Sequence, residues 1–357
     1  MIRSLTSLRF FFALIVFFSH YYYIDGVIFA HGWIGVSFFF ILSGFILSYS
    51  YKNRLFSGKV SYMDFYVARF ARIYPLHLLT FLIFIPFLMM RYLPGWKVLV
   101  PNLLLLQSWN PFNYYTVNVP SWSISNEAFF YAVFPMILYF FMKNSRINKL
   151  LVITICFLVY SVLLFCLFDS SFNYYLFYVN PLFRLIDFVI GVFIYSIWEK
   201  YSQKNSMSIL KATILEISTI GFFITMIWFS KYIHPNFTYA CYYWFPMSAI
   251  IYLFAIQQKG LVSKLLSNKI LVLAGDVSYA FYLFHIPVIR YCEIFFIKMN
   301  VMLDCQIPEW FKLILVVFTT SILSVLSYYF YEIPLNRKIK EWYVQYKRLQ
   351  IFRIFLK

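Results

Sequence analysis

The sequence predicts an all-α fold, a polytopic membrane protein with a bundle of about ten transmembrane helices and both termini in the cytoplasm. Of its 357 residues, 63% are hydrophobic and only 12% are charged, which is far too apolar for a soluble domain. Apolar runs also recur at close to the length of about 17 to 25 residues that a helix needs to cross a bilayer. These runs cover residues 6–23, 33–51, 75–93, 127–142, 150–168, 181–198, 213–230, 239–257, 277–297 and 312–332.

Lysine and arginine residues predict the orientation of the bundle. If both termini are cytoplasmic, 22 of the 30 basic residues fall on the inner side and 5 fall in the outer loops. Positive residues favour the cytoplasmic side of a membrane. The net charge of +17 is spread over short clusters between apolar runs, which argues against a nucleic-acid-binding surface. The sequence therefore indicates a multi-pass protein of the inner (plasma) membrane.

The first apolar segment contains two ionisable residues, Arg9 and His20, that a simple membrane anchor does not need. They lie eleven positions apart, which corresponds to about 16 Å along a helix. Ionisable groups at such a depth are costly and usually face a cavity or a partner, so we interpret them as a functional site. No small-residue cleavage site follows the segment, and we expect it to remain as the first helix.

The second segment and the residues just before it contain Gly32, Gly35 and Gly44. Glycine allows two helix backbones to approach closely, which is what helix pairs in lipid require. We therefore expect the second helix to pack tightly against its neighbours.

The inner side of the third span carries Arg69 and Arg72, which share one face of a short helix just before Pro75. Two guanidinium groups held side by side suit a phosphate or pyrophosphate group. Arginines that flank a span and contact lipid head groups would show the same spacing. Arg9 approaches from the same side of the membrane, which favours a binding site.

The fourth span places Glu127 about one turn inside the membrane, where a carboxylate needs a partner or a role in proton transfer. If the first helix runs outward, His20 lies at a comparable depth, and a pair between His20 and Glu127 is geometrically possible. The alternative is that Glu127 caps its own helix.

The sixth and ninth spans carry polar residues on helical spacing. Ser278, Tyr282 and His285 follow one another at spacings of four and three, which places them on one face directed into the bundle. Such a face suits either a polar site or core packing with satisfied hydroxyl groups. Arg184 and Asp187 are three positions apart, and we predict a structural ion pair between them.

The remaining polar residues predict no further site. His31, His77 and His234 are single histidines near the ends of spans and are expected at the membrane interface. The five cysteines include no C-x-x-C pair, which argues against a disulfide framework and against a zinc site. We therefore expect no bound metal.

The chain is predicted to divide into a membrane-embedded region, residues 1–336, and a basic amphipathic tail, residues 337–357, along the inner leaflet. The apolar run at residues 103–106 is too short to cross a membrane and is predicted to be a surface or re-entrant piece. We expect no further catalytic domain at either end.

Six groups of residues occur in one order along nearly the whole chain. They are Leu8-Arg9 with His20; Gly35-Val36, Phe39-Phe40 and Leu42-Ser43-Gly44-Phe45; Arg69, Arg72-Ile73 and Pro75; Trp122-Ser123, Glu127, Phe130-Tyr131 and Pro135; Ser278-Tyr279, Tyr282-Leu283 and His285; and Tyr331-Glu332 with Pro334. Each group alone is a weak signal. In this order the sequence resembles the acyltransferase-3 family of integral membrane acyltransferases, many of which O-acetylate cell-surface polysaccharides.

This resemblance implies an acyltransferase without a permanently bound cofactor. The acyl group, expected to be acetyl, would come from cytoplasmic acyl-CoA such as acetyl-CoA and pass to a hydroxyl of a cell-surface or lipid-linked glycan. The Arg-x10-His and Arg-x-x-Arg pairs are regarded as functional in that family, which points to Arg9, His20, Arg69 and Arg72. The three arginines are expected to bind the phosphates of CoA. We expect this chain to lack the extracellular esterase-like domain that some members carry.

The imidazole of His20 is expected to act as a general base or as a transient carrier of the acyl group. Glu127 would orient that imidazole or bind the acceptor. Aromatic rings stack on sugars and hydroxyl groups bind them, so further residues are expected to contact the substrate. These residues are Trp33, Trp122, Ser278, Tyr282 and His285.

A transporter or flippase for a lipid-linked or hydrophobic solute is the alternative interpretation, because buried His, Glu and Arg residues also suit a transport path. That class predicts two-fold internal symmetry in hydropathy, and the sequence shows none. A sensor or scaffold that has lost catalysis would lack the histidine or the inner arginines, and all of them are present. The sequence therefore favours the acyltransferase.

Overall fold

The computed structural model describes residues 2–21, 32–91, 94–143, 146–166, 172–202, 207–304 and 306–355, with the backbone alone at 146–153, 156, 165 and 350–355. These ranges are helical and contain no β-strand, which confirms the all-α prediction. The α-helices within them are α1 (Arg3–His20), α2 (Trp33–Phe56), α3 (Tyr62–Met89), α4 (Trp96–Leu103), α5 (Ser121–Lys143), α6 (Arg146–Cys166), α7 (Pro181–Tyr201), α8 (Ile209–Phe229), α9 (Pro235–Thr238), α10 (Cys241–Ile256), α11 (Leu261–Leu266), α12 (Lys269–Leu303), α13 (Glu309–Ser327) and α14 (Ile333–Phe355).

Each predicted span overlaps one of these helices. In the described part of the chain, 8 helical segments are long and apolar enough to cross a membrane. The predicted spans at 6–23 and 150–168 correspond to α1 and α6, which fall outside that set. The structure therefore confirms a multi-pass helical membrane protein, and the predicted orientation stays a prediction.

Helix α3 begins earlier than the sequence pattern indicated. The Ser61 side chain accepts a hydrogen bond from the backbone N–H of Asp64 (3.1 Å), and the Asp64 carboxylate accepts one from the N–H of Ser61 (2.8 Å). This reciprocal cap fixes the start of the helix at Tyr62, and Pro75 lies inside it. The expectation of a separate short helix before Pro75 was wrong, because the polar first turn belongs to the same helix.

Glycines permit the two most extensive helix contacts, α2 with α7 and α1 with α12. A methyl group added at Gly191 of α7 would overlap the carbonyl oxygen of Ile41, and one added at Gly44 of α2 would overlap that of Phe188. A methyl group at Gly275 of α12 would likewise overlap the carbonyl oxygen of Thr6 on α1. The predicted close approach of α2 is thereby confirmed.

The connection between α3 and α5 folds into the bundle. Gln107 is fully buried, and its amide donates to the carbonyl oxygen of Ser121 (2.9 Å). The hydroxyl groups of Ser108 and Ser125 lie 2.6 Å apart, and Ser125 also donates to the carbonyl oxygen of Leu105. These bonds hold the 3-10 helix at Gln107–Trp109 against α5, whereas Leu104 and Leu106 of the predicted run are exposed. A surface or re-entrant position for residues 103–106 stays a prediction.

The tail is helical as far as it is described. A π-helical turn at Tyr328–Glu332 joins α13 directly to α14, which packs against α3. Lys347 of α14 forms an ion pair of 3.2 Å with Asp64 at the start of α3. The helix begins at Ile333, ahead of the predicted boundary at 336. The division into two regions stays a prediction.

Candidate functional site

A cavity of about 140 Å³ lies among α1, α2, α3, α5 and α12. Its wall combines three arginines, one carboxylate and several hydroxyl groups with apolar side chains. The polar residues that line it are Arg9, Ser43, Arg69, Arg72, Ser123, Glu127, Tyr131, Ser278, Tyr279 and Tyr282. A cavity with this concentration of charge inside a helical bundle is the default candidate for a binding site.

The predicted convergence of Arg9, Arg69 and Arg72 is present in this cavity. Arg69 and Arg72 stand on one face of α3, and Arg9 of α1 lies close enough to Arg72 for mutual repulsion. Arg69 bonds to the hydroxyl group of Tyr51 (2.9 Å). Arg9 makes no hydrogen bond to the part of the chain that is described. The guanidinium groups thus form a cationic wall with donors available to an anion.

Glu127 is part of the same wall. Its carboxylate accepts a hydrogen bond of 2.9 Å from the hydroxyl group of Tyr131, one turn along α5, and is attracted by the charge of Arg9. The predicted pair between Glu127 and His20 is not formed, because Glu127 faces the arginines and His20 contacts another histidine. Glu127 therefore contributes a negative charge to an otherwise cationic wall.

The predicted polar face of α12 points into the bundle. Ser278 and Tyr282 line the cavity, and His285 is buried one turn further along the helix. The Ser278 hydroxyl donates to the carbonyl oxygen of Gly275 (2.7 Å). The Tyr282 hydroxyl lies 2.8 Å from that of Ser123 on α5. Hydrogen bonds therefore hold this wall in place.

His20 pairs with His285. Nδ1 of His20 lies 2.8 Å from the carbonyl oxygen of Val16 and 3.4 Å from Nε2 of His285. Nδ1 of His285 lies 2.5 Å from the carbonyl oxygen of Tyr282. A carbonyl oxygen accepts hydrogen bonds, so both Nδ1 atoms are assigned as protonated. Nε2 of His20 makes no hydrogen bond to the described residues, and its lone pair can accept a proton.

The histidine pair lies next to the cavity without lining it. The rings of Tyr282 and His285 are 5.8 Å apart, and the ring of Tyr282 also packs edge-on against Phe39 at 5.9 Å. Tyr282 and Phe39 both belong to the cavity wall. Aromatic side chains therefore lie between the cavity and the histidines.

The two predicted tryptophans lie elsewhere. Trp122 is 2% exposed and packs between the rings of Phe40 (6.2 Å) and Tyr178 (4.7 Å). It therefore offers no face to a sugar in this conformation, because the first turn of α5 directs it into the core. Trp33 is half-buried and packs edge-on against Tyr239 at 5.6 Å. Neither ring lines the cavity.

Sequence reasoning missed one partner of the arginines. Glu332, in the π-helical turn after α13, forms an ion pair of 3.2 Å with Arg72. The two residues are 260 positions apart, so no local spacing connects them. Glu332 does belong to the sixth group of the resemblance, Tyr331-Glu332 with Pro334, but its place in the sequence predicts no role for it.

Two other sets of ionisable residues, the Arg184–Asp187 pair and His77, are buried and hydrogen-bonded away from the cavity. Arg184 and Asp187 form the predicted ion pair (2.7 Å), fully buried, with Arg184 also donating to Ser37 (2.8 Å) and the indole N–H of Trp244 donating to Asp187. His77 was predicted at the interface and is instead buried, and its Nε2 lies 2.8 Å from the carbonyl oxygen of Asn102 on α4.

Of the two remaining histidines, the structure describes His234. His234 is exposed and caps α9, as an interfacial position allows. His31 lies outside the described residues. Among the residues that are described, no group of three His, Cys, Asp or Glu residues is arranged to hold a metal ion.

Comparison with known proteins identifies the family of this chain. The family model described as the acyltransferase domain matches residues 2–329. The chain is 32% identical over 323 residues to Acyltransferase MdmB of Streptomyces mycarofaciens, which covers 81% of this chain and 79% of that protein. It is 25% identical over 346 residues to O-acetyltransferase OatA of Staphylococcus aureus, covering 89% of this chain and 55% of that protein. No solved structure matches the chain.

The chain spans about half the length of OatA, and its similarity to MdmB extends over most of both proteins. The family match covers nearly all of the helices that surround the cavity. The resemblance found in the sequence is therefore confirmed, and this chain belongs to the acyltransferase-3 family of integral membrane acyltransferases.

Proposed function

We propose that this protein is a membrane O-acetyltransferase that moves an acetyl group from cytoplasmic acetyl-CoA to a hydroxyl of a cell-surface or lipid-linked glycan. The observation that carries the proposal is the convergence of Arg9, Arg69 and Arg72 on one cavity whose wall adjoins the His20–His285 pair. An anion-binding wall beside a histidine with an available nitrogen suits a phosphorylated thioester donor and a proton-transfer step.

The arginines bind the phosphates of the donor. Coenzyme A carries a pyrophosphate and a 3′-phosphate, and guanidinium groups pair with phosphate oxygens in a bidentate manner. Arg69 and Arg72 project from one face of α3, and Arg9 faces them from α1. With the basic end of the bundle in the cytoplasm, the donor enters from that side and its acyl arm points toward His20.

The side chain of Tyr282 separates the cavity from the histidines. For the thioester to reach His20, the ring of Tyr282 or that of Phe39 changes rotamer as the acyl arm enters. Side-chain rotations of this kind are common on ligand binding. The hydroxyl contact between Tyr282 and Ser123 holds the closed position when no donor is bound.

The chemistry at His20 follows from its hydrogen bonds. Nδ1 is bonded to the carbonyl oxygen of Val16, so Nε2 is the nitrogen that accepts a proton. The glycan oxygen forms a bond to the thioester carbonyl carbon as its proton passes to Nε2. The C–S bond then breaks, and the imidazolium returns the proton to the departing thiolate. General base catalysis of this kind contributes about 100-fold to 10,000-fold in rate.

A two-step route uses the same groups. Nε2 first attacks the thioester carbonyl carbon, the C–S bond breaks and the thiolate leaves. The glycan oxygen then bonds to the acyl carbon, the bond between Nε2 and that carbon breaks, and the hydroxyl proton passes to the freed Nε2 and from there to the thiolate. The two routes differ in whether an acyl-histidine accumulates when the acceptor is withheld.

The printed name of OatA, an O-acetyltransferase, supports acetyl as the group transferred and a hydroxyl as the acceptor. The glycan acceptor is inferred from the resemblance to a family that modifies cell-surface polysaccharides.

The proposal predicts the effect of replacing His20. Purified protein in detergent is incubated with labelled acetyl-CoA and a panel of glycan acceptors, and label in the glycan is counted. We expect His20→Ala to lose about 100-fold to 10,000-fold in rate, because the nitrogen assigned to accept the proton is removed. His234→Ala, at an exposed histidine outside the cavity, serves as the matched control and should retain full activity.

Circular dichroism and gel filtration of both variants establish that they are folded. A folded His20→Ala variant with wild-type activity would remove His20 from the reaction. Wild-type protein that transfers no label from any acyl-CoA would overturn the proposed donor.

A further inference from the structure

A second cavity, of about 300 Å³, lies at the end of the bundle where α3 begins and α14 packs on it. We call it the vestibule and define its polar lining as Arg69, Arg72, Tyr328, Glu332, Asn336, Arg337 and Lys340. Arg69 and Arg72 line both the vestibule and the central cavity. These two arginines therefore stand at the junction of the two spaces.

The vestibule concentrates positive charge. Arg69, Arg72, Arg337 and Lys340 contribute four cations, and Glu332 is the one carboxylate in the described lining. The Lys340 ammonium lies close enough to Arg69, Arg72 and Arg54 for mutual repulsion. In the part of the chain that is described, it has no hydrogen bond or ion pair of its own. Like charges held together raise the free energy of the empty site, and an anion that enters relieves the repulsion.

Two features hold α14 in place against the rest of the bundle. The π-helical turn at Tyr328–Glu332 makes α13 and α14 continuous, so α14 cannot rotate independently at that end. The ion pair between Lys347 and Asp64 (3.2 Å) fastens the helix to the start of α3. Arg337 is oriented by an ion pair of 2.7 Å with Glu341 on the next turn. A helix that lay only on a lipid surface would not need the ion pair with α3.

We propose that α14 completes the binding site for the phosphates of the donor, with Lys340 and Arg337 in contact with the phosphate groups outermost from the thioester. The inference rests on the proposed function, because it assigns these residues to acyl-CoA. Arg69 and Arg72 bind the phosphates nearest the central cavity, and Lys340 and Arg337 bind the 3′-phosphate of the nucleotide. Phosphate is the chemistry recognised, and an anionic lipid head group is the other source of it.

The test measures donor dependence in reconstituted protein. KM and kcat are determined with acetyl-CoA and with acetyl-3′-dephospho-CoA for the wild type, for Lys340→Ala and for Arg337→Ala/Lys340→Ala. Lys338→Ala is the matched control, since Lys338 is an exposed lysine on the same helix that does not line the vestibule. Each protein is assayed in liposomes of phosphatidylcholine alone and with added phosphatidylglycerol.

We expect Lys340→Ala to raise KM for acetyl-CoA about tenfold with kcat unchanged, because one charge-assisted contact to phosphate is lost. The double variant should raise it further, and neither should change KM for the dephosphorylated donor. Lys338→Ala should match the wild type with both donors.

Two outcomes would overturn the proposal in distinguishable ways. If KM is unchanged in both vestibule variants while activity follows the phosphatidylglycerol content, the vestibule binds lipid phosphate and the proposed function stands. If the wild type itself shows no dependence on acyl-CoA, the proposed function is wrong, and this assignment is wrong with it.

Discussion

At the scale of single residues, the hydrogen bonds of the His20–His285 pair determine which ring nitrogen of His20 can accept a proton. The carbonyl oxygen of Val16 is bonded to Nδ1 of His20, and Nε2 of His285 lies 3.4 Å from the same nitrogen. His285 is itself held by the carbonyl oxygen of Tyr282, one turn back on α12. Under the proposed function, His285 would act through His20, as a positioning residue that fixes the imidazole ring and its tautomer.

Replacing His285 should therefore weaken catalysis without removing it. We expect His285→Ala to lower kcat by about tenfold to 100-fold with KM for the donor unchanged, since Val16 still bonds to His20. His285→Gln, whose amide oxygen can accept from Nδ1 of His20, should recover part of the loss. Steady-state kinetics of both variants provide the measurement. A loss in His285→Ala as large as in His20→Ala would place His285 in the reaction itself.

At the scale of helices, close contacts between helix backbones determine where the residues of the site lie. Helix α2 supplies one wall of the cavity, and its position depends on the contact with α7 through Gly44 and Gly191. Helix α1 brings Arg9 and His20 to α12 through the contact at Gly275. Interfaces in lipid rely on such close approach, because there is no hydrophobic effect to draw the helices together.

The crossing of α2 and α7 yields a prediction about stability. We expect Gly191→Ala to destabilise the protein by about 1 to 3 kcal/mol, since the added methyl group meets the backbone of Ile41, which cannot move aside alone. Gly221→Ala on α8 is the control, because an added methyl group there has no heavy atom within 4 Å. Thermal unfolding in detergent compares the two. Equal melting temperatures for both variants would show that the crossing tolerates a larger residue.

The start of α3 is a feature that a search for apolar runs does not predict correctly. Apolar runs located the long helices from α1 to α13, because a span must be predominantly apolar, whereas α14 follows from the basic amphipathic pattern of the tail. They placed the beginning of α3 too late, since its first turns are polar and are fixed by the cap between Ser61 and Asp64. The two residues of that cap can be identified in the sequence, but a search for apolar windows does not detect them.

At the scale of the whole molecule, the sequence predicted which residues belong to the cavity better than how they pair. Arg69, Arg72 and Arg9 were expected together because their spacing and the positive-inside pattern place them at one end. The pairing of Arg72 with Glu332 joins residues 260 positions apart, and that of His20 with His285 joins residues 265 apart. Contacts over such separations depend on helix packing, and periodicity along the chain carries no information about them.

The two cavities and His20 define an axis along the bundle, from the vestibule to the histidine. The vestibule and the arginines lie at the end where α3 begins, and His20 lies at the opposite end of α1 from Arg3. If the basic end faces the cytoplasm, donor and acceptor meet across the thickness of the bundle. Acyl transfer would then require no movement of coenzyme A through the membrane.

The most direct test of this account is a sided transfer assay. Vesicles with the protein in one orientation receive labelled acetyl-CoA on the side of the vestibule and enclose the glycan acceptor on the other side, with His20→Ala vesicles as the control. We predict that label appears in the enclosed glycan of wild-type vesicles and not of the variant. Label transferred only when donor and acceptor share one side would contradict the account.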